Sequence, residues 1–466
     1  MPNHNIIDEV QINNLLQTCN KTDNQIIDDI LQRALELNGI DLGDVAYLLN
    51  IEDYPNLEKL FDTANKIKEE IYGKRLVLFA PLYISNYCSN NCMYCGFRVE
   101  NKELSRRTLT IDEIKDETRY ILSQGHKRTL MLMGEHHKNC SLGYFIEAIE
   151  AVYSVKDSKG SSIRRINLEI APLTDEEFKK ISLVPIGTYT VFQETYHRET
   201  YKTMHPSGNK SDYDWRISTM DRALENGLND VGIGALFGLY DYRFEVLSLI
   251  SHAQHLDRKF NIGPHTISIP RIRPATNAPA SQNIPYQVSD RDFRKLVAVL
   301  RCTVPYTGMI LSTRESIEMR TSLFNLGISQ ISAGSRTNPG GYKQAFAKME
   351  DESQFAMNDC RSSGEVIQDV ISQGYVPSFC TGCYRIGRVG EDFMDLAKPG
   401  LIKLHCLPNA LLTLKEYLID YADDETVKLG DTLISTEIEN IPQEHTRNKT
   451  IQYLQRISQG ERDLYF

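Results

Sequence analysis

Between Leu76 and Ala333 eight short apolar, β-rich segments come in turn, with amphipathic stretches between them. The predicted strands are Leu76–Ile84, Thr129–Met133, Ile166–Ile170, Thr188–Gln193, Asp230–Phe237, His265–Ile269, Met309–Thr313 and Ile328–Ala333. Helical patterns separate them: Arg216–Glu225, Phe244–Leu256, Asp290–Arg301 and Glu315–Phe324 carry apolar residues at helical spacing. Thr110-Ile-Asp-Glu113 offers a capping box, and Thr174-Asp-Glu-Glu177 repeats the logic with acidic residues in the first turn. Eight strands separated by helices close a parallel (β/α)8 TIM barrel, whereas an open doubly wound sheet rarely needs so many. No GxGxxG follows the first strand, which argues against a dinucleotide fold. Residues 1–74 read as an N-terminal helical extension and 75–339 as the α/β barrel. Asn338-Pro-Gly-Gly-Tyr342 is a strong turn signal and a natural exit from it, leaving 340–466 as a mainly helical C-terminal extension.

The 466 residues are 41% hydrophobic and 24% charged, enough apolar material for a packed core. Net charge is −10, a balance that repels a phosphate backbone, so nucleic acid is not an expected partner. No apolar run approaches the ~18–20 residues of a membrane span. The polar start, Met1-Pro-Asn-His-Asn5, lacks the pattern of a signal peptide. A cytoplasmic protein is expected.

Of ten cysteines, Cys19, Cys140, Cys302 and Cys360 are scattered, and six fall in two tight groups. In a reducing compartment grouped cysteines serve as metal ligands or catalytic thiols more often than as disulfides. Cys88-Ser-Asn-Asn-Cys92-Met-Tyr-Cys95 has the spacing Cx3Cx2C and follows directly on the first strand, where a barrel presents its chemistry. Three thiolates can hold three irons of a 4Fe-4S cube and leave the fourth open, whereas a structural site supplies four ligands. The nearest further ligand, His126, is distant in sequence. A zinc knuckle with a remote fourth ligand is the competing assignment.

This group resembles the radical S-adenosylmethionine (SAM) superfamily, whose hallmark is Cx3CxΦC with an aromatic at Φ, here Tyr94. The resemblance implies that SAM chelates the open iron and is cleaved reductively to a 5′-deoxyadenosyl radical. Met133-Gly134-Glu135 looks like the superfamily's glycine–glutamate motif at the amino group of SAM, though an ordinary strand-ending turn would read the same. Val231-Gly-Ile-Gly234-Ala-Leu-Phe-Gly238 puts glycines where backbone could approach an adenine, or where a strand packs closely.

Cys380-Thr-Gly-Cys383, with Cys406 after 22 residues, is a second incomplete triad. A Cys3His zinc site is one possibility, but the neighbours His405 and Cys406 are poorly placed to share one ion. A second iron–sulfur cluster with an open iron is the other. With both triads on one chain, the sequence resembles the tyrosine lyases of FeFe-hydrogenase maturation, relatives of the thiamine-pathway tyrosine lyase. Phe192-Gln-Glu-Thr-Tyr-His197, Gly263-Pro-His-Thr-Ile-Ser268 and Cys383-Tyr-Arg-Ile-Gly-Arg388 carry the likeness beside the cysteines, over about residues 75–420. It implies cleavage of the Cα–Cβ bond of L-tyrosine to p-cresol and dehydroglycine. Dehydroglycine would become CO and cyanide at an auxiliary 4Fe-4S cluster bearing an additional iron and a cysteine, in concert with other maturation proteins. A paralogous lyase of thiamine synthesis, or one acting on another amino acid, is the alternative.

Such chemistry needs a cationic anchor for the substrate carboxylate, and Arg forms the bidentate version. Arg314, after the seventh strand, and Ser332, on the eighth, are the expected anchor pair. By the same resemblance His265 holds the additional iron. Arg271 and Arg273 follow on the sixth strand, where either could face the barrel interior. His136, His137 and His197 are assigned no role. The two triads are expected at opposite ends of the barrel, with the labile intermediate passing internally.

Overall fold

The computed structural model describes residues 6–19, 23–343 and 352–466; the polar Met1–Asn5 start and residues 344–351, just past the expected barrel exit, lie outside the described residues. Eight parallel strands run β1 (Arg75–Ser85), β2 (Arg128–Met133), β3 (Arg165–Glu169), β4 (Tyr189–Glu194), β5 (Val231–Ala235), β6 (Thr266–Ser268), β7 (Gly308–Leu311) and β8 (Gln330–Ser332). Each pairs with its successor, and β8 and β2 both pair with β1, which closes the (β/α)8 barrel. All eight predicted segments become strands. Their apolar side chains point outward into the layer shared with the helices, where Leu76, Leu78, Ile166, Leu168, Ile233, Ile267 and Ile331 are buried.

Both capping boxes form as read, with Thr110 and Glu113, and Thr174 and Glu177, exchanging side chain and backbone bonds. The predicted helix Arg216–Glu225 is instead two, Tyr213–Ile217 and Thr219–Glu225. Ser218 interrupts it, donating its hydroxyl to the Asp214 carbonyl oxygen at 2.6 Å, a local bond that competes with the helical ladder. The N-terminal helices Glu9–Thr18, Asn24–Ala34, Leu42–Leu49 and Tyr54–Tyr72 are each capped by an aspartate, Asp8, Asp23, Asp41 and Asp53. No helix of the described residues is long and apolar enough to cross a membrane.

One strand was not anticipated. β9 (Val376–Ser378) pairs in parallel with Arg75–Val77 of β1, ahead of Ala80, where β2 joins. Three residues containing Pro377 show no periodicity to read, and the pairing is supplied by the tertiary fold. β9 ties the C-terminal segment to the N-terminal end of the barrel, and the helices Lys403–Asp420, Asp424–Glu439 and Glu444–Ser458 pack beyond it.

Candidate active site

β1 ends at Ser85, and the loop bearing Cys88, Cys92 and Cys95 opens at the C-terminal mouth of the barrel. Its shape is fixed by polar bonds. Ser89 donates its backbone N–H and its hydroxyl to the Glu135 carbonyl oxygen at 2.8 and 2.7 Å, and the Asn90 side-chain amide donates to the Glu135 carboxylate at 2.6 Å. Gly134 donates to the Ser85 carbonyl at 3.1 Å, and a Cβ there would run into the Tyr87 carbonyl oxygen. Only glycine permits that approach. The Tyr94 hydroxyl lies 2.8 Å from His205 Nε2, whose Nδ1 is 2.8 Å from the Tyr201 carbonyl oxygen. Nδ1 must donate to that carbonyl, so Nε2 accepts from Tyr94. Burial holds His205 well below its usual range, hence neutral.

The three thiols and Tyr94, Gly134 and Glu135 line one cavity of about 740 Å³. Burial pushes the Cys92 thiol up to about 12 and that of Cys95 to about 11. Such thiols become thiolates only against a bound cation, so this donor set suits a metal group. Among the described residues no three His, Cys, Asp or Glu side chains close around a single ion. A zinc site draws its sulfurs to about 3.8 Å apart, given Zn–S near 2.3 Å. This triad instead opens onto a space that accepts a larger group.

Tyr94, Cys95, Glu169 and Glu194 also line a second cavity, about 1120 Å³, that runs down the barrel interior. Arg314 and Ser332 both face it. The Arg314 guanidinium lies 3.3 Å from the centroid of the Phe355 ring and has no carboxylate partner among the described residues. Barrel interiors are ordinarily filled with branched apolar side chains. Here Thr129, Asn167, Thr190, Ser268 and Gln330 line it.

The structure adds residues that the sequence pattern did not single out. Glu194 has φ +72°, and the β4–β5 register slips between Phe192 and Glu194. That strained irregularity re-aims its carboxylate toward Lys210 at 2.5 Å and Arg216 at 3.9 Å. Glu169 ends β3 and lines both cavities. A carboxylate at the C-terminal end of a barrel strand was the available signal. Two open readings are narrowed. A Cβ on Gly232 would meet Thr266 and Thr190, and one on Gly234 would meet Phe192 and Ser268, so close packing inside the sheet explains them, and neither lines the two cavities described. Arg271 and Arg273 lie beyond β6, and both pair with Glu315 rather than facing the interior.

At the opposite, N-terminal end, β9 delivers Cys380, the short helix Gly382–Arg385 carries Cys383, and helix Lys403–Asp420 carries Cys406. All three line a cavity of about 470 Å³ together with His265, Arg75 and Arg128. His265 immediately precedes β6; its Nε2 lies 3.3 Å from the Tyr384 hydroxyl, and its Nδ1 lies 3.5 Å from Asp230 Oδ1. Burial lowers its pKa, which favours the neutral imidazole a metal requires. The donor set therefore fits a metal group here too. Gln330 lines both this cavity and the interior one.

Comparison with known proteins accords with this layout. Residues 82–250 match the Radical SAM superfamily, and residues 268–376 match the Biotin and Thiamin Synthesis associated domain. The chain is 30% identical over 362 residues to the 2-iminoacetate synthase of Escherichia coli (strain K12), covering 78% of this chain and 92% of that protein. It is 49% identical to a crystal structure of HydG, a maturase of the [FeFe]-hydrogenase, with TM-score 0.95, covering 99% of this chain and 100% of that one. The chain belongs to the HydG family of radical SAM enzymes. A second HydG, from Carboxydothermus hydrogenoformans, is 41% identical with TM-score 0.83 over 96% of this chain and 97% of that one. As a HydG-family radical SAM enzyme, the chain takes SAM and a 4Fe-4S cluster as cofactors.

Proposed function

We propose that this chain is a lyase that cleaves the Cα–Cβ bond of L-tyrosine to p-cresol and dehydroglycine at the C-terminal mouth of the barrel. Dehydroglycine is then converted to CO and cyanide at the N-terminal end, for assembly of the FeFe-hydrogenase H-cluster in the cytoplasm. One observation carries this reading: two incomplete cysteine triads line cavities at opposite ends of one barrel whose interior cavity has a mixed polar and apolar lining. Likeness to the HydG structures and to 2-iminoacetate synthase supports it.

In this reading Cys88, Cys92 and Cys95 hold the SAM-binding cluster, and Tyr94, Gly134 and Glu135 shape the pocket around it. When bound, the cluster and SAM together supply one-electron cleavage to a carbon-centred radical. Arg314 pairs with the substrate carboxylate and Ser332 donates to it, while the closed barrel excludes water from the reacting centre. Cys380, Cys383 and Cys406 hold an auxiliary 4Fe-4S cluster, and His265 holds an additional iron that also carries a cysteine. Asn167, Thr190, Ser268 and Gln330 give a small polar intermediate hydrogen-bonding partners along an internal route. Other hydrogenase maturation proteins receive the product.

The direct test is anaerobic incubation with SAM, tyrosine and a strong reductant. p-Cresol, CO and cyanide are the expected products; intact clusters without p-cresol would exclude tyrosine. The similarity to 2-iminoacetate synthase favours a second reading, a thiamine-type lyase, which would give p-cresol without CO. Arg314→Lys should raise the KM for tyrosine about 10–100-fold, the worth of one charge-assisted bidentate bond. Steady-state p-cresol kinetics measure it.

A further inference from the structure

Three carboxylates line the two upper cavities: Glu135, Glu169 and Glu194. Glu135 accepts from Asn90 at 2.6 Å, and Glu194 is held by Lys210 at 2.5 Å. Glu169 is the one without a side-chain hydrogen bond or ion pair among the described residues. It stands at the end of β3, and Arg314 follows β7. In the closed order β3 and β7 are four strands apart, so the two groups enter the lumen from opposite walls. An unpaired carboxylate and an unpaired guanidinium facing across one cavity suit a zwitterion, with its carboxylate toward Arg314 and its ammonium toward Glu169.

A bound amino acid carries its nitrogen as an ammonium near neutral pH. Removing a hydrogen atom from that group would leave positive charge on an electron-deficient nitrogen, so the proton must leave first. We propose that Glu169 is the general base that takes this proton from the substrate. The inference rests on the amino-acid lyase assignment above. One N–H bond breaks with its electron pair left on nitrogen, and the proton bonds to a Glu169 carboxylate oxygen. Ammonium and carboxylate become neutral amine and carboxylic acid, with no change in net charge or oxidation state.

The surroundings suit a base working near neutrality. Burial, and then the charge of Glu194, raise the Glu169 carboxyl to about 7, against the lowering influence of Arg314, Lys210 and Arg216. Tyr83 on β1, Tyr94 and Cys95 are further ionisable groups lining both cavities, and Cys88, Cys92 and Glu135 line the one nearer the mouth. The basic form is present above that value, so turnover rises with pH through it.

The experiment uses the anaerobic holoenzyme with Glu169→Gln and Glu169→Asp, cluster absorbance confirming that each variant is loaded. p-Cresol rates and tyrosine Kd by equilibrium dialysis are followed from pH 6 to 9. Glu169→Gln should lower the rate at pH 7 by about 10²–10⁴-fold. Its residual rate should climb about tenfold per pH unit as free amine becomes available, and Glu169→Asp should recover part of the loss. Wild-type Kd should weaken as pH falls below 7, whereas that of Glu169→Gln should stay flat. A Glu169→Gln rate within about threefold of wild type, or a loss of rate with neither the pH rescue nor the flattened Kd profile, would overturn the proposal. Wild-type protein that binds tyrosine but releases no p-cresol at any pH would refute the lyase assignment instead.

Discussion

Replacing Cys380, Cys383 and Cys406 together by alanine is expected to leave p-cresol release within a few-fold of wild type while CO and cyanide fall at least 100-fold. The two triads share no residue, and the barrel lies between them. Damage at the N-terminal end therefore leaves the C-terminal mouth intact. The substitution removes all three thiols lining that cavity, so anaerobic iron analysis should show about four to five irons lost while the SAM-binding cluster signal persists. Dehydroglycine should then accumulate, appearing as glyoxylate after hydrolysis. Equal loss of p-cresol and CO would show that the two ends do not act separately.

The second large effect concerns stability. Arg320 is fully buried, pairs with the Asp359 carboxylate, and donates to the Ser332 carbonyl oxygen at 2.6 Å. Arg361 holds the same carboxylate at 2.8 Å. Asp359→Ala strands a buried guanidinium, and the expected loss is about 3–5 kcal/mol. The urea midpoint should fall accordingly. Because Arg320 grips the strand that carries Ser332, the KM for tyrosine should rise as well. The pH dependence has a definite sign. Against the penalty of burial, Arg361 and Arg320 hold the Asp359 carboxyl below its usual value near 3.8. Its contribution is therefore complete above that value and is lost as pH falls through the lower folded one. Wild type should lose stability on acidification in this range, and Asp359→Ala should lose less.

Much of this was legible in the sequence because the relevant signals are local. Strand β1 runs straight into Cx3Cx2C, so spacing and position were visible together. The eight strands announced themselves because their outer faces are buried under helices, which demands an apolar residue at every second position. What escaped depends on distant segments meeting. β9 has three residues and no period, and it is a strand only because the start of β1 offers it an edge. Glu169 fell inside the predicted strand Ile166–Ile170 with nothing to single it out; its unpaired state is a fact about Lys210, Arg216 and Asn90, which occupy the other two acids. His205 fixes Tyr94 across 111 positions of chain. The glycines of β5 could not be decided from sequence, since a small residue beside a cavity reads the same as one crowded by neighbouring strands.

β1 has a consequence for how such an enzyme can change. Its final residue leads into one set of sulfurs, and its first three, through β9, seat the other. Val77 lines the lower cavity and Tyr83, six residues on, lines the upper ones, so at roughly 3.3 Å per residue the strand is a ruler of about 20 Å between the two workshops. Loops elsewhere can lengthen without altering that span. An odd insertion within β1 would turn every following side chain to the wrong face. The distance between the two chemistries is thus inherited as the length of a single strand.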